Sequence, residues 1–139
     1  MEATNNTQQV YVDGFVIRIK KSQVENYKQM ATGGGKIWMK HGALQYVECI
    51  GDDLYPDMSQ GPAEMGKFLG FPAMTNLEED ETIIFSFITY KDKAHRDEVN
   101  AKVMADPEMN NPENWPKEMP FKMDKMAFGG FTSIVNHIS

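Results

Sequence analysis

The segment ETIIFSFITY at residues 81–90 is the strongest strand signal in the chain, because β-branched and aromatic residues fill most of its positions. Side chains alternate between the two faces of a strand. One face carries Ile83, Phe85 and Phe87, and the other carries Ile84, Ser86, Ile88 and Tyr90. A sheet with one wet face would show clean alternation of apolar and polar residues. The pattern therefore predicts a sheet that must be covered on both faces.

The other predicted strands and helices determine what can pack against the two faces of this sheet. Further strands are predicted at residues 10–19, 43–50 and 125–135. A helix is predicted to begin at a capping box of Ser22 and Glu25 and to end before Gly42, which suits the position after a helix. A second helix is predicted at 93–105, capped by Asp92. Residues 51–80 are predicted as a long loop, with one short helical turn considered at 63–68.

This order, β-α-β-β-α-β, predicts an α+β fold of the ferredoxin-like type, with a four-stranded antiparallel sheet and two helices on one face. Residues 10–139 form one domain in this interpretation, and residues 1–9 form a flexible tail. The helices cover one sheet face. The second face is left to either a partner chain or the long loop 106–123, which contains Trp115.

Charge and hydropathy exclude several classes of partner. The net charge is −6, so neither nucleic acid nor an anionic membrane surface is an expected partner. No apolar run approaches the ~20 residues that cross a bilayer, and the first nine residues contain no apolar segment typical of a secretory signal. A single cysteine, Cys49, rules out an internal disulfide. These features predict a cytoplasmic protein.

Metal, nucleotide and nucleophile motifs are missing from the sequence. The three histidines form no HxxxH or HExxH pair, and Cys49 has no second cysteine near it. We therefore predict no metal and no cofactor. Cys49 is expected to be buried and unreactive within its strand, beside Glu48.

Three consecutive glycines, Gly33–Gly35, interrupt the first predicted helix. Each glycine costs about 0.8–1 kcal/mol relative to alanine inside a helix. The sequence therefore predicts a break or kink there, at a place where the backbone closely approaches another element or a ligand.

Two carboxylates are predicted to lie among apolar neighbours. Asp13 shares a strand face with Phe15, and Glu48 shares one with Tyr46. Each is either a general base or a structural ion-pair partner of Arg96 or Lys125. The eleven methionines indicate an adaptable core or a pliable pocket.

The start of the second helix carries His95 and Arg96, which both lean toward the sheet at 100° per residue. A cation in a first turn opposes the helix dipole, so Arg96 needs an anion. That anion is Asp13 or Glu48, or a ligand carboxylate, unless Arg96 reaches solvent. The candidate catalytic residues are His95, Glu48 and Asp13. The candidate ligand-binding residues are Trp38, His41, Arg96 and Asn100.

Several segments carry a resemblance to a known family, in the right order from about residue 11 to residue 135. They are YVDGFV, KHGALQYVEC, ETIIFSFITYKDKAHRDEVNAKVMADPEM and MDKMAFGGF. The chain resembles the YbaA-like family of uncharacterised bacterial proteins. The resemblance implies a dimeric α/β barrel in which two ferredoxin-like sheets pack face to face, and it implies no particular activity. The glycine run and the long 51–72 loop depart from the pattern expected for the family.

The sequence thus predicts a homodimer joined through the sheet face, with a small-molecule site between helices and sheet. Because Arg96 needs an anion, anionic molecules are among the predicted ligands. One hypothesis is a cofactor-free enzyme of the monooxygenase, isomerase or lyase type, by analogy at the level of the fold. The alternative is a non-catalytic binding or regulatory dimeric module.

Overall fold

The computed structural model describes residues 8–139, which form a four-stranded antiparallel sheet with the strand order β2-β3-β1-β4. The strands are β1 (Tyr11–Lys20), β2 (Gln45–Ile50), β3 (Glu81–Tyr90) and β4 (Met126–Thr132), and the helices are α1 (Val24–Lys40), α2 (Phe71–Thr75) and α3 (Lys93–Ala105). The α+β class and the antiparallel sheet are confirmed. β3 and α3 have their predicted bounds, and the other main elements lie close to theirs.

The register of the strands defines two faces. On the helix face, Glu48 of β2, Ser86 of β3, Phe15 of β1 and Phe128 of β4 lie in one row across the sheet. On the opposite side, called the back face below, Cys49, Phe85, Val16 and Ala127 form the corresponding row. Each face of β3 thus carries the residues that the alternation predicted.

The buried core lies between the helix face, α1 and α3. One cluster joins Ile37 of α1 and Val99 of α3 to Ile88 and Tyr90 of β3, and a second joins Tyr27 and Ala31 of α1 to strand isoleucines. Trp115 of the 106–123 loop packs against the first cluster. The loop therefore adds to the cover of the helix face. The prediction that it could cover the back face is wrong.

The back face is partly open. Phe85 is 46% exposed and Phe131 is 62% exposed. At one end of this face Ile83 is buried, the Phe71 ring of α2 lies 6.3 Å from the Phe85 ring, and the Arg18 guanidinium donates to the Thr75 carbonyl. The sequence did not predict α2, which lies in the segment predicted as loop. The same segment contains a 3₁₀ turn at Ala63–Lys67, close to the considered helical turn.

The helix ends agree with only part of the predicted capping. The Asp92 side chain accepts a hydrogen bond from the His95 backbone N–H at 2.7 Å, which confirms that cap. Gly42 follows α1 with φ of 111°, as a residue after a helix often does. The predicted capping box is wrong, because a 3₁₀ turn at Lys21–Gln23 precedes α1 and Gln23 is the N-cap without a side-chain bond.

The glycine run does not break α1, which is helical throughout Val24–Lys40. The predicted break or kink is therefore wrong, but the predicted close approach is present at Gly35. A Cβ added there would lie 2.9 Å from Cδ1 of Tyr46, whereas a Cβ on Gly33 would meet nothing within 4 Å. Tyr46 of β2 therefore packs directly under the α1 backbone, and only glycine at position 35 leaves room for its ring.

The chain ends meet beside the sheet. Residues 1–7 of the predicted tail lie outside the described residues. Asn136 donates to the Gln8 carbonyl at 2.6 Å, and the Gln9 side chain donates to Thr132 at 2.9 Å. Within the described range, the start of the chain is hydrogen-bonded to its end.

Candidate functional site

A cleft of about 490 Å³ lies between α1, the helix face and the 106–123 loop. Its walls are almost entirely apolar and include Phe15, Met30, Trp38, Trp115, Met119 and Phe121. Both tryptophans of the chain line it. A cleft of this size and lining is typical of a site for a small organic molecule.

The polar end of the cleft is a hydrogen-bonded group of one carboxylate and two phenols, called the Glu48 group below. Tyr27 of α1 donates to Oε1 of Glu48 at 2.6 Å, and Tyr46 of β2 donates to Oε2 at 2.9 Å. Ser86 lies beside Glu48 in the sheet and also lines the cleft. A carboxylate with a donor on each oxygen is held in one orientation.

Both phenols remain protonated in this setting. Burial raises the pKa of Tyr27 far above its usual range, and the hydrogen bond to Glu48 and the charge of Glu48 raise it further. Burial and the same negative charge raise the pKa of Tyr46 in the same direction. Each hydroxyl therefore acts as a donor to Glu48 at neutral pH.

The repeats of the α-helix and the β-strand place the side chains of the Glu48 group on facing surfaces. Tyr27, Ala31, Gly34 and Trp38 recur at steps of three and four along α1, so they form one stripe over the sheet. Tyr46 and Glu48 alternate onto the same face of β2. The absent side chain at Gly35 then lets Tyr46 come close enough to α1 for its hydroxyl to reach Glu48.

A second cleft, of about 550 Å³, lies on the other side of the Glu48 group, between α1 and the β2 edge. It includes Glu25, Lys28 and Thr32 of α1 and is the more polar of the two clefts. Tyr27, Ala31, Tyr46 and Glu48 line both clefts. Glu48 therefore stands in the partition between an apolar cleft and a polar one, a position from which a carboxylate can exchange protons with either side.

The predicted site residues divide into two places. Trp38 and Glu48 line the apolar cleft, whereas Asp13, His41, His95, Arg96 and Asn100 do not. Nη1 of Arg96 donates to Asp13 at 2.6 Å. The Arg96 side chain is 15% exposed and that of Asp13 is 3% exposed. The anion predicted for Arg96 is therefore a side chain of the protein itself, Asp13.

Asn100 links Trp38 of the cleft wall to Tyr90, near the Asp13–Arg96 ion pair. Its Oδ1 accepts from Nε1 of Trp38 at 3.1 Å and from the Tyr90 hydroxyl at 3.4 Å. Burial raises the pKa of Asp13, and Arg96 opposes that rise. The guanidinium carbon of Arg96 also lies 5.0 Å from the centre of the Tyr11 ring. In this network Asn100 holds the indole of Trp38 in place on the cleft wall.

The two histidines predicted as site residues, His41 and His95, lie apart from the apolar cleft. Nε2 of His41 is 2.6 Å from Asp106, whose carboxylate also accepts from Lys40 at 2.9 Å. These hydrogen bonds hold the pKa of Asp106 well below its usual range, with His41 making the largest contribution. Nδ1 of His95 accepts from the Lys91 backbone N–H at 3.0 Å. Each histidine thus has a partner near an end of a helix.

Tyr27, Tyr46 and Trp115 are site residues that the sequence did not predict. Tyr46 alternates onto the strand face of Glu48, and Tyr27 lies one helical turn before Ala31 on α1, so a signal existed. Two phenols that face a half-buried strand carboxylate satisfy its need for donors. Trp115 carried no such signal, because its place depends on the irregular path of the 106–123 loop.

Cys49 is exposed, so the prediction that it is buried is wrong. Residue 49 alternates onto the back face beside Phe85, in the open part of that face. Within residues 8–139, no group of three or more His, Cys, Asp or Glu side chains is arranged to hold a metal ion. Among the same residues, every helix is too short or too polar to span a bilayer.

Comparison with known proteins identifies the family. Residues 10–123 match the family model described as "Protein of unknown function (DUF1428)". The chain is 36% identical over 126 residues to the "Uncharacterized protein YbaA" of Escherichia coli (strain K12), an alignment that covers 91% of this chain and 97% of that protein. The YbaA protein of Shigella flexneri matches with the same identity and coverage. The resemblance inferred from the sequence motifs is thereby confirmed: the chain is similar to YbaA and belongs to the DUF1428 family.

Proposed function

We propose that the protein binds a small, largely apolar organic molecule in the cleft beneath α1, with the Glu48 group at its polar end. One observation carries the proposal: an open apolar cleft of about 490 Å³ ends at an oriented carboxylate. A carboxylate is costly to place against an apolar wall unless it is hydrogen-bonded or has a role there. Tyr27 and Tyr46 supply the hydrogen bonds that Glu48 needs, and the Glu48 side chain still lines the cleft.

The anionic ligand considered from the sequence is not part of this proposal. It depended on a free Arg96, and the charge of Arg96 is matched by Asp13 at 2.6 Å and by Asp97 at 2.8 Å. The ionised side chain that lines the apolar cleft is Glu48. An anionic ligand group would therefore meet like charge at the polar end of the cleft.

An enzyme of the isomerase, lyase or cofactor-free monooxygenase type remains one form of this proposal. In that form Glu48 is the general base, and it passes a proton from the apolar cleft to the polar one. The alternative is a binding or regulatory module, in which the Glu48 group only orients the ligand. Exchange of ligand hydrogens with deuterated solvent, lost in Glu48→Gln, favours the enzyme. Binding without exchange favours the module.

Binding in the cleft is tested with a neutral fluorescent probe, N-phenyl-1-naphthylamine. We expect saturable binding by the wild-type protein and a loss of at least tenfold in affinity for Gly34→Leu. Gly34 lines the cleft, and a Cβ there lies 3.5 Å from its nearest neighbour, so the backbone accepts a side chain that fills the cleft.

Gly33→Leu is the matched control for this experiment. It adds the same side chain to the same helix, at a position that lines neither cleft and where a Cβ meets nothing within 4 Å. Probe affinity should match that of the wild type. Equal binding by both variants would mean that the probe binds elsewhere, such as the back face, and would contradict the proposal.

The proposal extends to the fold type and the assembly. The strand order β2-β3-β1-β4, with α1 and α3 on the helix face, supports a ferredoxin-like domain. A single cysteine, which leaves no internal disulfide, supports a cytoplasmic protein. The open back face supports a homodimer of the dimeric α/β-barrel kind. Its exposed large side chains include Phe85 and Phe131, it is bordered by the exposed Phe71 and Met74 of α2, and the 106–123 loop lies on the other side of the sheet.

Sedimentation at micromolar concentration tests the assembly. We expect a species of twice the 15.8 kDa chain mass, and dissociation to monomers in Phe131→Asp, because an aspartate there would be buried without a partner. Met104→Asp is the control, since Met104 is 57% exposed on α3 and away from the back face. A wild-type monomer would contradict the dimer.

A further inference from the structure

We propose that the cleft selects a cationic ligand, a protonated amine carried on an apolar or aromatic body. This inference rests on the proposed binding function and names the chemical class of the ligand. The cleft wall has many more free hydrogen-bond acceptors than free donors, and the inference follows from that imbalance.

The side-chain donors of the cleft wall are already used within the protein. The Tyr27 and Tyr46 hydroxyls donate to Glu48 at 2.6 and 2.9 Å. A phenol has one O–H, so neither retains a donor for a ligand. Nε1 of Trp38 donates to Asn100 at 3.1 Å, and Nε1 of Trp115 donates to the Met109 carbonyl at 2.7 Å. Both indoles therefore present only carbon to the cleft.

Ser86 is the remaining side-chain donor among the lining residues. It is 4% exposed and lies in the strand position directly beside Glu48. Apart from the Ser86 hydroxyl, the side-chain donors of the wall are bonded inside the protein. A ligand that needs a further donor would have to displace one of those bonds.

The acceptors, in contrast, are in excess. A carboxylate has about four acceptor positions, and the two phenols occupy two of those on Glu48. Each phenol oxygen also retains acceptor capacity. The polar end of the cleft thus carries a carboxylate and has more acceptors than donors, so the ligand group that matches it best is a donor with positive charge.

The aromatic wall favours the same ligand charge. The rings of Trp38, Trp115, Phe15 and Phe121 line the cleft that ends at Glu48. Aromatic faces carry partial negative charge and attract ammonium groups, most strongly in tryptophan. An ammonium ion that is removed from water here gains a charged partner in Glu48 and aromatic faces around it, while its hydrocarbon part contacts the methionines.

Three probes with the same body separate the possible head groups: 4-phenylbutylamine, 4-phenylbutanol and 4-phenylbutyrate. The amine is protonated at pH 7, as a lysine side chain is. Quenching of intrinsic fluorescence reports binding directly, because both tryptophans of the chain line the cleft. We expect the amine to bind at least tenfold more tightly than the alcohol, and the carboxylate to bind most weakly.

The Glu48→Gln variant tests whether Glu48 carries the selectivity. It keeps the side-chain shape and an acceptor for a phenol but removes the charge. We expect the preference for amine over alcohol to fall to less than threefold. Glu98→Gln is the control, because Glu98 is an exposed carboxylate on α3, paired with Lys102, and its variant should keep the preference.

Tyr27→Phe provides a second test that does not depend on the folding of Glu48→Gln. It leaves the Glu48 charge in place and frees one acceptor position, so the preference for the amine should be kept or increased. A smaller preference in this variant would overturn the inference. Alcohol or carboxylate binding as tightly as the amine in the wild-type protein would also overturn it, while binding in the cleft would stand. If none of the three probes binds and the neutral naphthylamine also fails, the proposed function falls as well.

Discussion

Replacing Arg96 by methionine should lower the free energy of unfolding by about 3 kcal/mol, the low end of the range for breaking a buried ion pair. Arg96 bonds to Asp13 at 2.6 Å, and the Asp13 side chain is 3% exposed. Methionine keeps much of the volume of the side chain and removes the charge. Asp13 would then remain buried without its cationic partner, and that is the main source of the loss.

The deficit of Arg96→Met should shrink as the pH falls from 7 toward 4. Burial already raises the pKa of Asp13 in the wild-type protein, and Arg96 opposes this. Without Arg96 the folded-state pKa rises further above the unfolded value of about 3.9. A group with a raised folded-state pKa binds its proton more tightly in the folded state, so protonation at lower pH recovers stability.

Urea unfolding of the two proteins at several pH values gives the measurement. Lys102→Met is the control, since Lys102 is 54% exposed and pairs with Glu98 within α3. Exposed pairs of this kind contribute little, so its stability should stay close to that of the wild type. The double variant Asp13→Leu with Arg96→Met should recover part of the loss, because it leaves no unpaired charge.

The outcome also decides the role of the predicted site around His95 and Arg96. If Arg96→Met unfolds like the wild-type protein and leaves probe binding unchanged, the pair is a surface feature and not part of the core. If stability falls while the cleft still binds the naphthylamine probe, Asp13 and Arg96 hold the sheet to α3 and the ligand-binding role predicted for Arg96 is not supported.

The glycines of α1 should respond to alanine in opposite directions. Gly33→Ala should raise the free energy of unfolding by about 1 kcal/mol, because a Cβ meets nothing within 4 Å and alanine favours the helix. Gly35→Ala should lower it by about 1–2 kcal/mol. Its Cβ would lie 2.9 Å from Cδ1 and 3.1 Å from Cε1 of Tyr46. Overpacking of this kind costs about 1–3 kcal/mol, and the helical gain of about 1 kcal/mol offsets only part of that cost.

The Gly35 variant should also disturb the cleft, since a displaced Tyr46 ring cannot keep its 2.9 Å hydrogen bond to Glu48. Thermal unfolding measures the stability change, and affinity for 4-phenylbutylamine measures the effect on the site. Adding Tyr46→Ala to Gly35→Ala removes the clash, so the two changes should not be additive. Equal stabilisation by Gly33→Ala and Gly35→Ala would show that Tyr46 moves aside freely.

Local patterns in the sequence determined most of the secondary structure. Alternation identified both apolar faces of β3, and the Asp92 cap identified the start of α3, because these signals depend only on neighbouring residues. The motifs identified the family. Alternation also placed Glu48 and Tyr46 on one strand face, and of the predicted site residues Glu48 and Trp38 line the cleft.

Only the tertiary structure decided which polar groups meet. Asp13 and Arg96 are 83 positions apart, and Tyr27 and Glu48 are 21 apart, so no local rule pairs them. The rule for glycine in helices predicted a break, but the cost was outweighed by the packing of Tyr46 under Gly35. The position of Trp115 likewise follows from the path of an irregular loop over the core. Composition and periodicity set which face each side chain occupies, whereas packing between distant segments sets what it contacts there.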